Sequence, residues 1–230
     1  MLVSILWPSL AAAQVGGYYL ELSGGPSETT VEFMPPLIQY GRIQFVSSQA
    51  SDFSADSDMV SLSIGTRFND TFAMEVSYTD YGSFSGPATV TGAGFFFDRL
   101  ESGEFVVRET DLFVEGDGEY ETAGISASLI GNLPLGRRLN VYGKLGFVAL
   151  DIDWKVVGTG VFTGDRDEQL PISGDASART TAFSYGAGLA YRFNLSYGVR
   201  LEYQELRFDS RLFSSTAEIE GITLGIRRYF

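Results

Sequence analysis

The chain has 230 residues, with 29 acidic against 16 basic side chains, a formal net charge of −13, and neither His nor Cys. Without Cys there is no disulfide framework, thiolate metal site or cysteine nucleophile, and without His the commonest general base and transition-metal ligand are missing. The acidic balance argues against a nucleic-acid partner, which needs clustered Lys and Arg, and no apolar run of about 18 residues offers a transmembrane helix.

The N-terminus opens with the mostly apolar segment Leu2–Leu10, followed by Ala11-Ala12-Ala13. A short apolar stretch ending in small residues predicts a signal peptide over residues 1–13, cut after Ala13, although the basic residue that usually opens one is lacking. Residues 14–230 then form one domain outside the cytoplasm.

From Gly17 onward the recurring signal is alternation with period two, which places odd and even positions on opposite faces of a strand. The first segment sets Tyr18, Leu20 and Leu22 against Tyr19, Glu21 and Ser23. The second, Asp58–Phe68, sets Val60, Leu62, Ile64 and Phe68 against Ser61, Ser63, Gly65 and Arg67. Asn69-Asp70 marks a tight turn, and the third segment opposes Phe72, Met74, Val76 and Tyr78 to Ala73, Glu75, Ser77 and Thr79. Tyr120–Gly131 alternates more weakly. After a turn at Asn132–Gly136, Leu139–Ala149 opposes Leu145 and Phe147 to Lys144 and Gly146. Thr181–Phe193 is the clearest: Phe183, Tyr185, Leu189, Tyr191 and Phe193 lie opposite Ser184, Gly186, Gly188 and Arg192. The seventh segment opposes Val199, Leu201 and Tyr203 to Arg200, Glu202 and Gln204. The last opposes Ile222, Leu224, Ile226 and Phe230 to Thr223, Gly225, Arg227 and Tyr229.

Eight alternating segments, joined by short turns and by long loops over 25–56, 83–117 and 152–179, predict an all-β, antiparallel up-and-down transmembrane barrel. Phe95–Phe97 and Phe105–Val107 in the second loop predict either an extended hairpin or an extra strand pair, and hence ten strands. The bulky apolar face turns outward, opposite to a soluble barrel. Slipping the Tyr197–Phe208 strand by one residue would put Arg200, Glu202 and Gln204 in lipid, at about 2–4 kcal/mol for an Arg near the midplane. The inward set collects Glu21, Arg67, Glu75, Lys144, Arg192, Arg200, Glu202 and Arg227, both signs together, as pairing of buried charge requires. Eight strands leave an interior just wide enough for side chains to fill, so a structural plug is favoured over a pore.

At this point the chain resembles the OmpA-like eight-stranded outer-membrane barrels, through Ser184–Leu206 (SYGAGLAYRFNLSYGVRLEYQEL) and the terminal Glu220–Phe230 (EGITLGIRRYF). The resemblance implies short periplasmic turns, long extracellular loops and a location in the outer membrane. It further implies a C-terminal strand read by the barrel-assembly machinery, with Thr223, Gly225, Ile226 and Phe230 suiting that signal and Arg228 departing from it. Outer-membrane lipid and lipopolysaccharide are the implied surroundings of a monomer, with no cofactor. The three long loops carry −10 of the net charge of −13, which reads first as solvation of exposed loops.

The function expected is a non-enzymatic barrel for envelope integrity or surface interaction, with a small porin-like channel or an adhesin as the alternative. A soluble lipocalin-like binder would need the opposite facing of Thr181–Phe193. A lipid-modifying barrel enzyme would need a catalytic His that the sequence lacks.

Overall fold

The computed structural model describes residues 17–31, 39–40, 43–50, 53–99, 105–163, 168–210 and 215–230. The predicted signal peptide over 1–13 lies outside them. The ten described strands are β1 (Tyr18–Val31), β2 (Gln39–Tyr40), β3 (Ile43–Ala50), β4 (Phe53–Arg67), β5 (Phe72–Arg99), β6 (Phe105–Pro134), β7 (Leu139–Thr163), β8 (Glu168–Arg192), β9 (Tyr197–Ser210) and β10 (Ser215–Tyr229).

Eight of them close into an antiparallel barrel. The wall runs β5-β4-β1-β10-β9-β8-β7-β6, and β6 pairs back onto β5 to complete the ring. Closure gives every wall strand two neighbours, which satisfies backbone groups that a bilayer cannot. The seam is β1 on β10, from Tyr19↔Tyr229 to Val31↔Ala217. β2 and β3 stand outside the ring, with β3 added to the upper part of β5 from Ile43↔Phe96 to Ala50↔Val90. The wall therefore has eight strands, and the two additional ones arise in the first long loop, not the second.

The second long loop is an extended hairpin, with β5 and β6 paired as far as Phe97↔Val107 and Arg99↔Phe105. Residues 83–117 and 152–179, expected as loops, are mostly paired strand. Pairing accounts for the difference: hairpins rising beyond the barrel bond their own backbone groups, which unpaired loops leave to water. At the opposite end the turns are tight. Asn69 Oδ1 accepts the N–H groups of Thr71 and Phe72 at 2.8 and 2.7 Å, and Asn194 Oδ1 accepts those of Ser196 and Tyr197. Both are Asx turns, which is why Asn starts each.

The outer wall carries an apolar belt: Leu22, Leu62, Val76, Leu129, Phe147, Leu189, Leu201 and Leu224 are all exposed. Phe147 and Phe183 meet edge to face on it, with centroids 5.6 Å apart. Exposed Leu and Phe in such numbers would be an aggregation hazard in water, and they mark the lipid-facing surface.

Above this belt the polarity inverts. Asp56, Asp58, Asp80, Glu121, Asp151, Asp153, Arg179 and Arg207 are exposed on the outside. At the same levels the inside is mostly apolar, with Tyr81, Phe84, Tyr120, Val148, Leu150, Ile152, Leu206, Phe208 and Ile219 buried against one another. The upper barrel thus has the polarity of a soluble protein, and the crossover marks where the membrane ends. Inside it, burial pushes the Tyr81 phenol up to about 12 and raises that of Tyr120.

Candidate functional site

The lumen at belt level is built by the inward positions of the wall. Glu21 comes from β1, Glu75 from β5, Lys144 from β7, Arg200 and Glu202 from β9, and Arg227 from β10. All six side chains are buried, none more than 6% exposed. Each carboxylate and Lys144 has at least one small cross-strand neighbour: Glu21 lies opposite Ser63, Glu75 opposite Gly65 and Ser128, Lys144 opposite Gly186, and Glu202 opposite Gly188 and Thr223. Small neighbours are a packing requirement in so narrow a barrel. A Cβ added at Gly188 would lie 2.5 Å from the Tyr142 hydroxyl and 2.2 Å from the Leu201 carbonyl oxygen.

The six charges form one network. Lys144 Nζ lies 2.9 Å from Glu75 Oε1 and 3.3 Å from Glu202 Oε1. Arg200 reaches all three carboxylates, at 2.7 Å to Glu21, 2.8 Å to Glu75 and 3.1 Å to Glu202. Arg227 Nε meets Glu21 Oε2 at 2.7 Å, and its Nη2 lies 3.5 Å from Glu75. Two phenols add bonds: Tyr19 donates to Glu75 at 2.8 Å and Tyr142 to Glu202 at 2.7 Å. The Arg227 guanidinium also stacks 3.8 Å from the centre of the Tyr19 ring.

Three carboxylates face three cations, so the group is neutral. That matters because an unmatched charge in a low-dielectric interior costs several kcal/mol, a cost that pairing opposite charges offsets in large part. With the apolar tier of Tyr81, Phe84, Leu206 and Phe208 stacked above it, the network forms one of two buried layers of side chains at the centre of the lumen.

Of the eight inward residues expected from the sequence, six meet in this network. Arg67 and Arg192 do not. Both point inward at the short-turn end and lie beside Tyr229, Arg192 at 3.9 Å and Arg67 at 6.0 Å from the ring centroid. Sequence reasoning missed Tyr19 and Tyr142 as hydrogen-bond donors, although their inward parity was legible. It also missed the apolar tier. The signal for it was Leu150-Asp151-Ile152-Asp153 and Leu206-Arg207-Phe208-Asp209, where apolar residues take over the inward parity.

The four residues expected in the assembly signal split between faces. Ile226 and Phe230 are exposed on the outer wall at 66% and 68%. Thr223 is buried in the lumen, and Gly225 makes room for Glu21, whose Oε1 would lie 3.0 Å from an added Cβ.

Comparison with known proteins gives one family. The model described as "Outer membrane protein beta-barrel domain" matches residues 1–230. No curated protein matches in sequence. Among solved structures, Neisserial surface protein A is 12% identical with a TM-score of 0.48, over 93% of this chain and 97% of that one. Ail, the attachment invasion locus protein of Yersinia pestis, solved with the heparin analogue sucrose octasulfate, is 15% identical with a TM-score of 0.40, over 92% and 98%. The N-terminal β-barrel domain of Pseudomonas aeruginosa OprF is 15% identical with a TM-score of 0.39, over 94% and 99%.

Proposed function

Since the chain belongs to the outer-membrane protein β-barrel domain family and is an outer-membrane barrel, we propose that it is a non-enzymatic surface protein with a closed lumen. The short turns face the periplasm and the long hairpins the cell exterior. The observation that carries this reading is the two-layer filling of the lumen, a neutral buried ion network under an apolar tier. Such an interior, filled by side chains at both levels and with its charges engaged with one another, supports a lumen closed to ions and substrates. The lack of His in the sequence also removes the base on which barrel enzymes of this architecture rely.

Function then belongs to the outside. β5 to β8 rise far above β9, β10 and β1, presenting a tall paired sheet to the medium. On its surface Phe113, Val157 and Val161 line a shallow cleft with Glu115 and Asp117, a mix of apolar and acidic groups suited to contact with another molecule. Lipopolysaccharide and outer-membrane lipid cover the apolar belt. The outward Leu224, Ile226 and Phe230 are the part of the last strand that the assembly machinery can reach, and the barrel works as a monomer.

Planar-bilayer recording on the refolded full chain tests the closed lumen. No discrete conductance steps are expected, and regular steps at a reproducible unit size would replace this reading with a porin-like one.

A further inference from the structure

The neutrality of the lumen network leaves a residue of charge elsewhere. Its three carboxylates are matched by Lys144, Arg200 and Arg227, so Arg67 and Arg192 stand outside the balance. Both end strands at the periplasmic mouth, Arg67 on β4 and Arg192 on β8. Both are half-buried and face inward. Among the described residues neither has a carboxylate at ion-pair distance; their recorded partner is the ring of Tyr229, within 6.0 Å of each. Arg227 approaches the same ring at 6.0 Å.

Guanidinium groups converging on one ring repel one another, and stacking on the ring offsets only part of that repulsion. The remaining inward residues of this tier sharpen the imbalance. Asn132 and Asn140 bring amides, and Gly198 lies across from Arg192 with no side chain of its own. A Cβ added at Gly198 would lie 3.3 Å from Tyr229 Cε2, so the ring closes over that position. Beside the mouth the turn carries exposed Arg137 and Arg138, and the Arg192 N–H donates to the Arg138 carbonyl at 2.8 Å. The inward tier of the mouth is therefore rich in donors and, among the described residues, holds no Asp or Glu side chain; Asp70, in the turn after Arg67, is exposed to the periplasm. Guanidinium forks match the geometry of phosphate oxygens, two donors to two oxygens.

We propose that the periplasmic mouth is an anion site, in which Arg67 and Arg192 beside Tyr229 hold a phosphate group presented from the periplasm. Free phosphate and the headgroup of an anionic lipid in the inner leaflet share that chemistry. The site is independent of whether the lumen above it conducts.

The test uses the full chain refolded in lauryldimethylamine oxide, a detergent without phosphate, with arginine Nε–Hε signals followed by NMR. One arm adds inorganic phosphate at ionic strength held constant with chloride, and the other adds phosphatidylglycerol to the micelles. Saturable shifts at Arg67 and Arg192, absent from the exposed Arg207, are expected. Saturation with phosphate assigns a free anion, and saturation with the lipid alone assigns a headgroup. In Arg192→Gln the affinity read at Arg67 falls about tenfold, as loss of a charge-assisted bond requires. No saturable shift in either arm, shifts equal to those of Arg207, or an unchanged affinity in Arg192→Gln overturns the proposal. Should that variant misfold, the wild-type titration decides the question.

Discussion

Replacing Glu75 by Gln tests the lumen network at its most connected member. Glu75 accepts from Lys144 at 2.9 Å, from Arg200 at 2.8 Å and from Tyr19 at 2.8 Å, and lies 3.5 Å from Arg227. Gln keeps the shape and an acceptor oxygen, so packing is preserved while one negative charge goes. Three cations then face two carboxylates in a buried site, a loss of about 3–5 kcal/mol by the cost of breaking a buried pair from one side. The double variant Glu75→Gln with Lys144→Met restores neutrality at two against two. Residues in direct contact couple by about 0.5–3 kcal/mol, so the double variant is expected to lose less than the two single variants together. Urea titration of the refolded protein, read by heat-modifiable gel mobility, gives all four stabilities. A loss below about 1 kcal/mol in Glu75→Gln, or simple additivity in the cycle, would refute the tightly paired, neutral network and indicate a lumen with water around each charge.

Truncating the upper tier with Leu206→Ala is expected to cost about 2–5 kcal/mol, since Leu206 is fully buried and a cavity remains; the same urea titration measures it. Gly188→Ala drives a methyl into the Tyr142 hydroxyl and the Leu201 carbonyl, an overpacking loss of about 1–3 kcal/mol. The Glu202 bond to Tyr142 should weaken with it, visible as a shift in tyrosine absorbance. At Gly82, where φ is +86°, Gly82→Ala is expected to destabilise the bulge between Asp80 and Ser83 by about 1 kcal/mol or more. On the outer rim, a hydrogen bond from Tyr185, helped by Arg207 nearby, holds the Glu205 carboxyl below its ordinary value of 4.5. Its folded pKa is the lower one, so its contribution is present above 4.5 and lost as pH falls through the folded value. Arg207→Gln should move that acid limb to higher pH in an unfolding titration.

Alternation made much of this legible from the sequence. Each wall strand was found with its lipid face correctly turned, because one misplaced charge such as Arg200 or Lys144 in lipid is costlier than any propensity term. The charges of the network were legible by parity alone. Their pairing was not, since Glu21 and Arg227 are 206 positions apart and meet only through closure. Parity also could not separate Arg67 and Arg192 from the rest, because height along the barrel depends on strand tilt and stagger. The rise of the 83–117 hairpin is signalled by Phe95–Phe97 and Phe105–Val107, whereas 152–179 reads as a loop because outside the membrane no face need be apolar, and Ser, Thr, Gly and acids then hide a paired strand. The same loss of contrast concealed β2 and β3.

The seam between β1 and β10 bears on how the protein comes to be folded. Every other wall pairing joins strands that follow one another in the wall's chain order, so each forms over a short span of chain. The seam alone must bring together positions such as Tyr19 and Tyr229, and closing so long a span costs about 3 kcal/mol more in chain entropy than a ten-residue turn. Until it forms, β1 and β10 are open edges able to recruit foreign strands. Contacts across it, Glu21 with Arg227 and Tyr19 with Tyr229, can form only once the two ends of the wall have met. They are thus levers on how slowly the finished barrel opens.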